Sequence, residues 1–174
     1  AILMTLRGDR RRRRNPFVGH TASAILHHAA CDVLIANRLL LAEERVSRIL
    51  LPTFSDAPPP KALQLAEQLA VRAQGVPIIT LTMAPRGSAG RDGSRSQRSP
   101  RGLPLVIRRS LFPGRILGRR QRLPELILSE AARERYGLLL VGEDPKRQSS
   151  PLLSRSFLEQ LFLTAPCPVL AVRG

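Results

Sequence analysis

Phe157-Leu158-Glu159-Gln160-Leu161-Phe162-Leu163-Thr164-Ala165-Pro166-Cys167-Pro168-Val169-Leu170-Ala171-Val172-Arg173 decides the fold. Phe157, Leu158, Leu161, Phe162 and Ala165 recur at the spacing of one helical face. Pro166 and Pro168 stop the helix, and Val169 to Val172 is a short, unbroken apolar run of the kind that a parallel sheet buries on both faces. A helix joined tightly to such a strand is the second half of a strand-helix-strand unit.

The same pattern occurs near the start of the chain. Gly19 to Arg38 aligns without gaps on Arg155 to Gly174, with Ala29/Ala165, Cys31/Cys167, Val33/Val169 and Leu34/Leu170 identical, at a separation of 136 residues. A separation of one domain length implies a tandem pair of like domains. In the first copy, Ile2 to Met4 reads as a strand, Ala22, Ile25, Leu26 and Ala29 as one face of a helix from about Thr21, and Val33 to Ala36 as a strand. Residues 1–43 are therefore expected to be the C-terminal part of a first domain plus a linker, too little to bury a core alone. The chain also opens without an initiator Met, directly on an apolar run, as expected of a piece of a longer polypeptide.

Residues 44–174 carry a complete copy. Ile49 to Leu51 is a buried-type strand that Pro52 is expected to end, and Ala62, Leu65, Ala66, Leu69, Ala70 and Ala73 form a helical stripe closed by Gly75. Pro77 to Met83 is the second strand, Leu103 to Ile107 the third, and Leu138 to Val141 the fourth. Leu123, Leu126, Ile127 and Ala131 face inward from the helix before that fourth strand, with Pro124 in its first turn. Residues 84–102 turn to Arg, Gly, Ser and Pro without periodicity and read as a low-complexity loop where a helix is the norm. The expected class is α/β, an open, mostly parallel five-stranded sheet flanked by helices, of Rossmann-like type.

Composition narrows the functions. The net charge of +15 rests on arginine, with Lys61 and Lys146 the only lysines, in a block Arg10, Arg11, Arg12, Arg13 and Arg14 and a scatter from Arg86 to Arg122. Five adjacent arginines suit a phosphate, an anionic lipid surface or nucleic acid, against the commoner meaning of a solvated loop. Aromatics are only 3%, which leaves few stacking platforms for single-stranded nucleic acid. Two cysteines in apolar settings give neither a disulfide framework nor a metal site, and both are expected to be buried in a reducing compartment. His20, His27 and His28 are the only histidines, so the complete copy cannot build a Ser-His pair, and adjacent helix positions cannot share a metal. No apolar run approaches the roughly 18 residues of a membrane span.

The run Arg48-Ile-Leu-Leu-Pro-Thr53, the Ala/Leu helix after it, and the ending Gly142…Ser156…Ala165-Pro-Cys-Pro-Val-Leu-Ala-Val-Arg173 resemble the universal stress protein family. The resemblance implies a site for ATP or AMP at a glycine loop after the fourth strand, Gly-x2-Gly-x9-Gly-Ser/Thr, where backbone N–H groups and a hydroxyl at a helix N-terminus hold phosphate. Gly142 and Ser156 keep the first and last slots, and Thr53 and Gly19 occupy related positions, whereas Pro145 and Arg155 replace the inner glycines and Phe54 stands where nucleotide binders carry an Asp. Proline removes a donor and fixes φ, which compromises a phosphate-holding backbone.

The resemblance therefore implies a non-enzymatic stress-response module with no cofactor. The alternatives are an ATP- or AMP-binding stress protein, with slow hydrolysis, and a basic nucleic-acid binder. It further implies pairing with a second copy, or a homodimer, through the last strand, with Val33 to Ala36 antiparallel to Val169 to Val172. Degenerate tandem copies also form cytoplasmic tails of membrane transporters, so a cytoplasmic module facing anionic lipid through Arg10 to Arg14 is expected.

Overall fold

Most of the strands are short apolar runs. In the computed structural model the strands are β1 (Ile2–Leu6), β2 (Val33–Asn37), β3 (Ile49–Thr53), β4 (Ile78–Met83), β5 (Ser96–Gln97), β6 (Val106–Leu111), β7 (Leu138–Gly142) and β8 (Val169–Val172). The helices are α1 (Pro60–Arg72), α2 (Leu123–Arg133) and α3 (Arg155–Thr164), with residues 24, 25 and 28 also helical. The structure describes residues 2–6, 24–25, 28–37, 46–53, 57–83, 96–97, 104–111, 123–142 and 155–173, without the side chains of residues 2–6, 36–37, 96–97, 111 and 155.

Among the described residues the strands form one sheet in the order β1-β2-β8-β7-β3-β4-β6-β5. β8, β7, β3, β4 and β6 run parallel, the five strands expected of the second copy. The sheet is wider than those five. β1 and β2, parallel to each other, join it antiparallel at β8, with Val33 opposite Ala171, Leu34 opposite Leu170 and Ile35 opposite Val169.

Alternation along the strands builds two cores. Ile49, Leu51, Ile78, Leu138, Leu140, Leu170 and Val172 meet Ala62, Ala66 and Ala70 of α1 on one face. Leu50, Ile79, Leu81, Leu139, Val141 and Val169 meet Ile127 and Ala131 of α2 and Phe157, Leu158, Leu161 and Phe162 of α3 on the other. Three alanines spaced four apart let α1 lie close against the sheet. Its end is a Schellman turn in which Gly75 N–H donates to Ala70 and Gln74, at φ 67°, to Val71.

Four expectations change. Pro52 does not end β3, because its register with β4 runs on to Thr53–Thr82. The third strand is Val106–Leu111 rather than Leu103 to Ile107, since Pro104 cannot donate to a ladder while Val106 to Leu111 pairs with Ile78 to Met83 throughout. Within the expected loop 84–102, Ser96 and Gln97 pair antiparallel with Ile107 and Val106. Cys31 is half-buried and Cys167 buried, and neither is in a disulfide.

Candidate functional site

Strand order reverses between β3 and β7: β4 and β6 lie to one side and β8 to the other. In open α/β sheets such a point, at the carboxyl ends of the strands, is where ligands bind. Here the two strands also part. Their register is Ile49–Leu138 and Leu50–Leu139 and, among the described residues, goes no further. Pro52 explains the parting: the ladder to β4 passes it intact, so its missing N–H is on the β7 side.

Thr53 and Gly142 end the two strands that flank this crevice. Thr53 is buried, and its hydroxyl donates to the Ala57 carbonyl at 3.3 Å, which ties the end of β3 to the approach to α1. Gly142 has no room for a side chain. A Cβ there would stand 2.4 Å from Ala62 Cβ and 3.3 Å from Pro59. The glycine is thus required by the seating of α1 on β7, independently of any phosphate. Ser156 is exposed in the first turn of α3, the helix that leads from the carboxyl edge back to β8, and Arg155 opens that helix. Gly19, Arg10 to Arg14, Phe54 and Pro145 lie outside the described residues.

Among the described residues, Lys61, Asp32 and Arg173 engage one another at this edge. Lys61, in the first turn of α1, lies 3.5 Å from Asp32 Oδ1 and donates to the Arg173 carbonyl, while Arg173 N–H donates to Asp32 at 2.9 Å. Asp32 therefore ties the start of β2 to the end of β8 and to α1. This junction was not read from the sequence, because Asp32 and Arg173 are 141 residues apart.

A second polar cluster sits beneath α2. Glu130, 6% exposed, accepts from Arg109 at 3.0 Å on one oxygen and from Arg133 at 2.8 and 3.2 Å on the other. Glu134 joins Arg109 at 3.5 Å and Arg48 at 3.0 Å. The hydroxyl of Tyr136 is buried beside them without a hydrogen-bond partner among the described residues, and its burial pushes its pKa up to about 12. The pairing of Glu130 with Arg133, three residues on, is the one sign of this cluster visible in the sequence. Arranged this way, it fastens β6, α2 and β3 together.

Solved structures with this arrangement are known. A universal stress protein from Archaeoglobus fulgidus DSM 4304 superposes with a TM-score of 0.52 at 15% identity, over 87% of this chain and 52% of its own. A functionally unknown protein from Pseudomonas aeruginosa PAO1 superposes with a TM-score of 0.58 at 14% identity, over 99% of this chain and 62% of its own. At these identities the likeness is one of fold, and this chain spans only about half to three-fifths of their length. No curated protein matches the chain. Residues 45–173 match the Universal stress protein family, from the strand that contains Pro52 to the closing Val169–Val172, and the chain belongs to that family.

Proposed function

We propose that the chain is a regulatory, non-catalytic stress-response module whose crevice at the strand-order reversal is structural and holds no nucleotide. The observation that carries this reading is the contact of Ala62 with the place of a Gly142 Cβ: the glycine serves the packing of α1. Pro145, Arg155 and Phe54 support it, as does Lys61, which is committed to Asp32. Calorimetric titration with ATP and with AMP at modest salt is the test, and no saturable heat is expected. The parting of β3 from β7 favours a second reading, an ATP- or AMP-binding protein. Micromolar binding that Ser156→Ala abolishes would establish that reading and end the first.

The same proposal takes residues 1–43 as the end of a first family-like copy, paired with the complete one through the last strands. Support comes from the repeat itself, since Leu34 and Leu170 correspond in sequence and face each other in the sheet. The proposed setting is cytoplasmic, as in degenerate paired copies on membrane transporters, with Arg10 to Arg14 against anionic lipid. No helix among the described residues is long and apolar enough to cross a membrane.

A further inference from the structure

The β2–β8 seam has a local two-fold symmetry. Val33 faces Ala171, the counterpart of Ile35 in the repeat, and Ile35 faces Val169, the counterpart of Val33, as an axis through Leu34 and Leu170 requires. The same axis exchanges the two ends of the seam, so that Asp32 corresponds to Pro168 and Asn37 to Arg173.

The polar contacts break this symmetry. At one end Arg173 N–H donates to Asp32 Oδ1 at 2.9 Å, Lys61 Nζ lies 3.5 Å from the same oxygen, and Lys61 also donates to the Arg173 carbonyl. At the other end the place of Asp32 is taken by Pro168, whose side chain has neither donor nor acceptor. The ladder between the two ends is short, three aliphatic pairs. It discriminates little between one copy of the strand and the other, since Val33 and Leu34 are identical to Val169 and Leu170. Ile35 against Ala171 is a difference of apolar bulk, which carries no direction. Asp32 is the directional difference.

We propose that Asp32 sets partner choice at the outer edge of β8, which takes a last strand preceded by a carboxylate, such as β2, in preference to a second copy of β8. In a β8–β8 seam Pro168 would stand opposite Arg173 at both ends, leaving the Arg173 amide without its carboxylate and Lys61 without its counter-ion. Specificity is a difference between two affinities, and the poorer pairing is disfavoured by the acceptor it lacks. Most of that difference lies in the charge-assisted hydrogen bond to the Arg173 amide, because Lys61 keeps much of its side chain in water. This inference rests on the paired-copy reading above and is independent of the nucleotide question.

The test compares the whole chain with Asp32→Ala, Asp32→Asn, and Asp32→Ala combined with Pro168→Asp, by residue-resolved hydrogen exchange and by light scattering over a range of concentrations. Asp32→Ala is expected to speed exchange of the Arg173 amide and of β2 by about tenfold or more, and to raise the dimer fraction. Asp32→Asn falls between, since it keeps an acceptor and loses the charge. The combined variant moves the carboxylate onto β8, and is expected to dimerise about tenfold more tightly than Asp32→Ala alone. Unchanged protection of the β3–β4 ladder separates these effects from misfolding. The proposal is overturned if Asp32→Ala leaves the Arg173 amide as in the parent, if the seam loosens with no gain in dimer, or if the combined variant dimerises no more tightly. Protection of Val33 to Ile35 in the parent reports the pairing of the copies by itself: if it is absent, the paired-copy reading has failed, and if it is present, only the role of Asp32 is at stake.

Discussion

Gly142 shows how one residue type answers to two different demands. A phosphate loop and a close helix contact both require the absence of a Cβ, and only the position of Ala62 distinguishes them. If packing is the reason, Gly142→Ala lowers stability by about 1–3 kcal/mol through overpacking. Ser156→Ala, at an exposed position, is expected to stay within about 0.5 kcal/mol of the parent. Chemical denaturation of both variants checks this, and equal stabilities would remove the argument from packing. That Gly142 closes a strand was legible in the sequence. What fills the space beside Gly142 was not, because Ala62 arrives from a different element.

Among the elements, β6 departs furthest from its sequence pattern. Val106-Ile107-Arg108-Arg109-Ser110-Leu111 lacks the continuous apolar run of a buried parallel strand, and the apolar residues just before it attract the assignment instead. Arg109 stays in the strand because Glu130 and Glu134 of the α2 region neutralise it. A double-mutant cycle with Glu130→Ala and Arg109→Ala, followed by denaturation, is expected to give a coupling of about 1 kcal/mol, moderated because Arg109 keeps part of its side chain in water. Glu130→Ala alone is expected to cost more, about 1–2 kcal/mol, since it also removes the hydrogen bonds from Arg133, which stays solvated, and opens a buried site. A coupling near zero would mean that β6 is held by its ladder alone. The helices posed no such difficulty: their 3.6-residue stripes are local, and α1, α2 and α3 lie where the stripes place them.

At the scale of the whole molecule, Tyr136 contributes to alkaline stability. Tyr136 is the only tyrosine and there is no tryptophan, so phenolate absorbance reports it alone. Burial raises its pKa in the fold to about 12, against the Arg109 guanidinium, which pulls it down, while an unfolded tyrosine titrates near 10. The folded chain therefore keeps a proton that the unfolded chain releases. The contribution is full below about pH 10 and is lost as pH rises to about 12. A native midpoint near 10 would place the hydroxyl in water instead. Charge is also distributed at this scale: the described residues include nine basic and six acidic residues, so most of the +15 belongs to the stretches of sequence outside them. By itself the sequence determined the α/β class, the helices and four of the parallel strands, because each follows from local periodicity. Only the tertiary structure decided that β3 continues past Pro52, that β6 contains Arg109, that Gly142 serves Ala62, and that Asp32 and Lys61 close the seam. Each of these depends on groups far apart in sequence meeting across the sheet, and spacing along a chain carries no information about which distant side chain arrives.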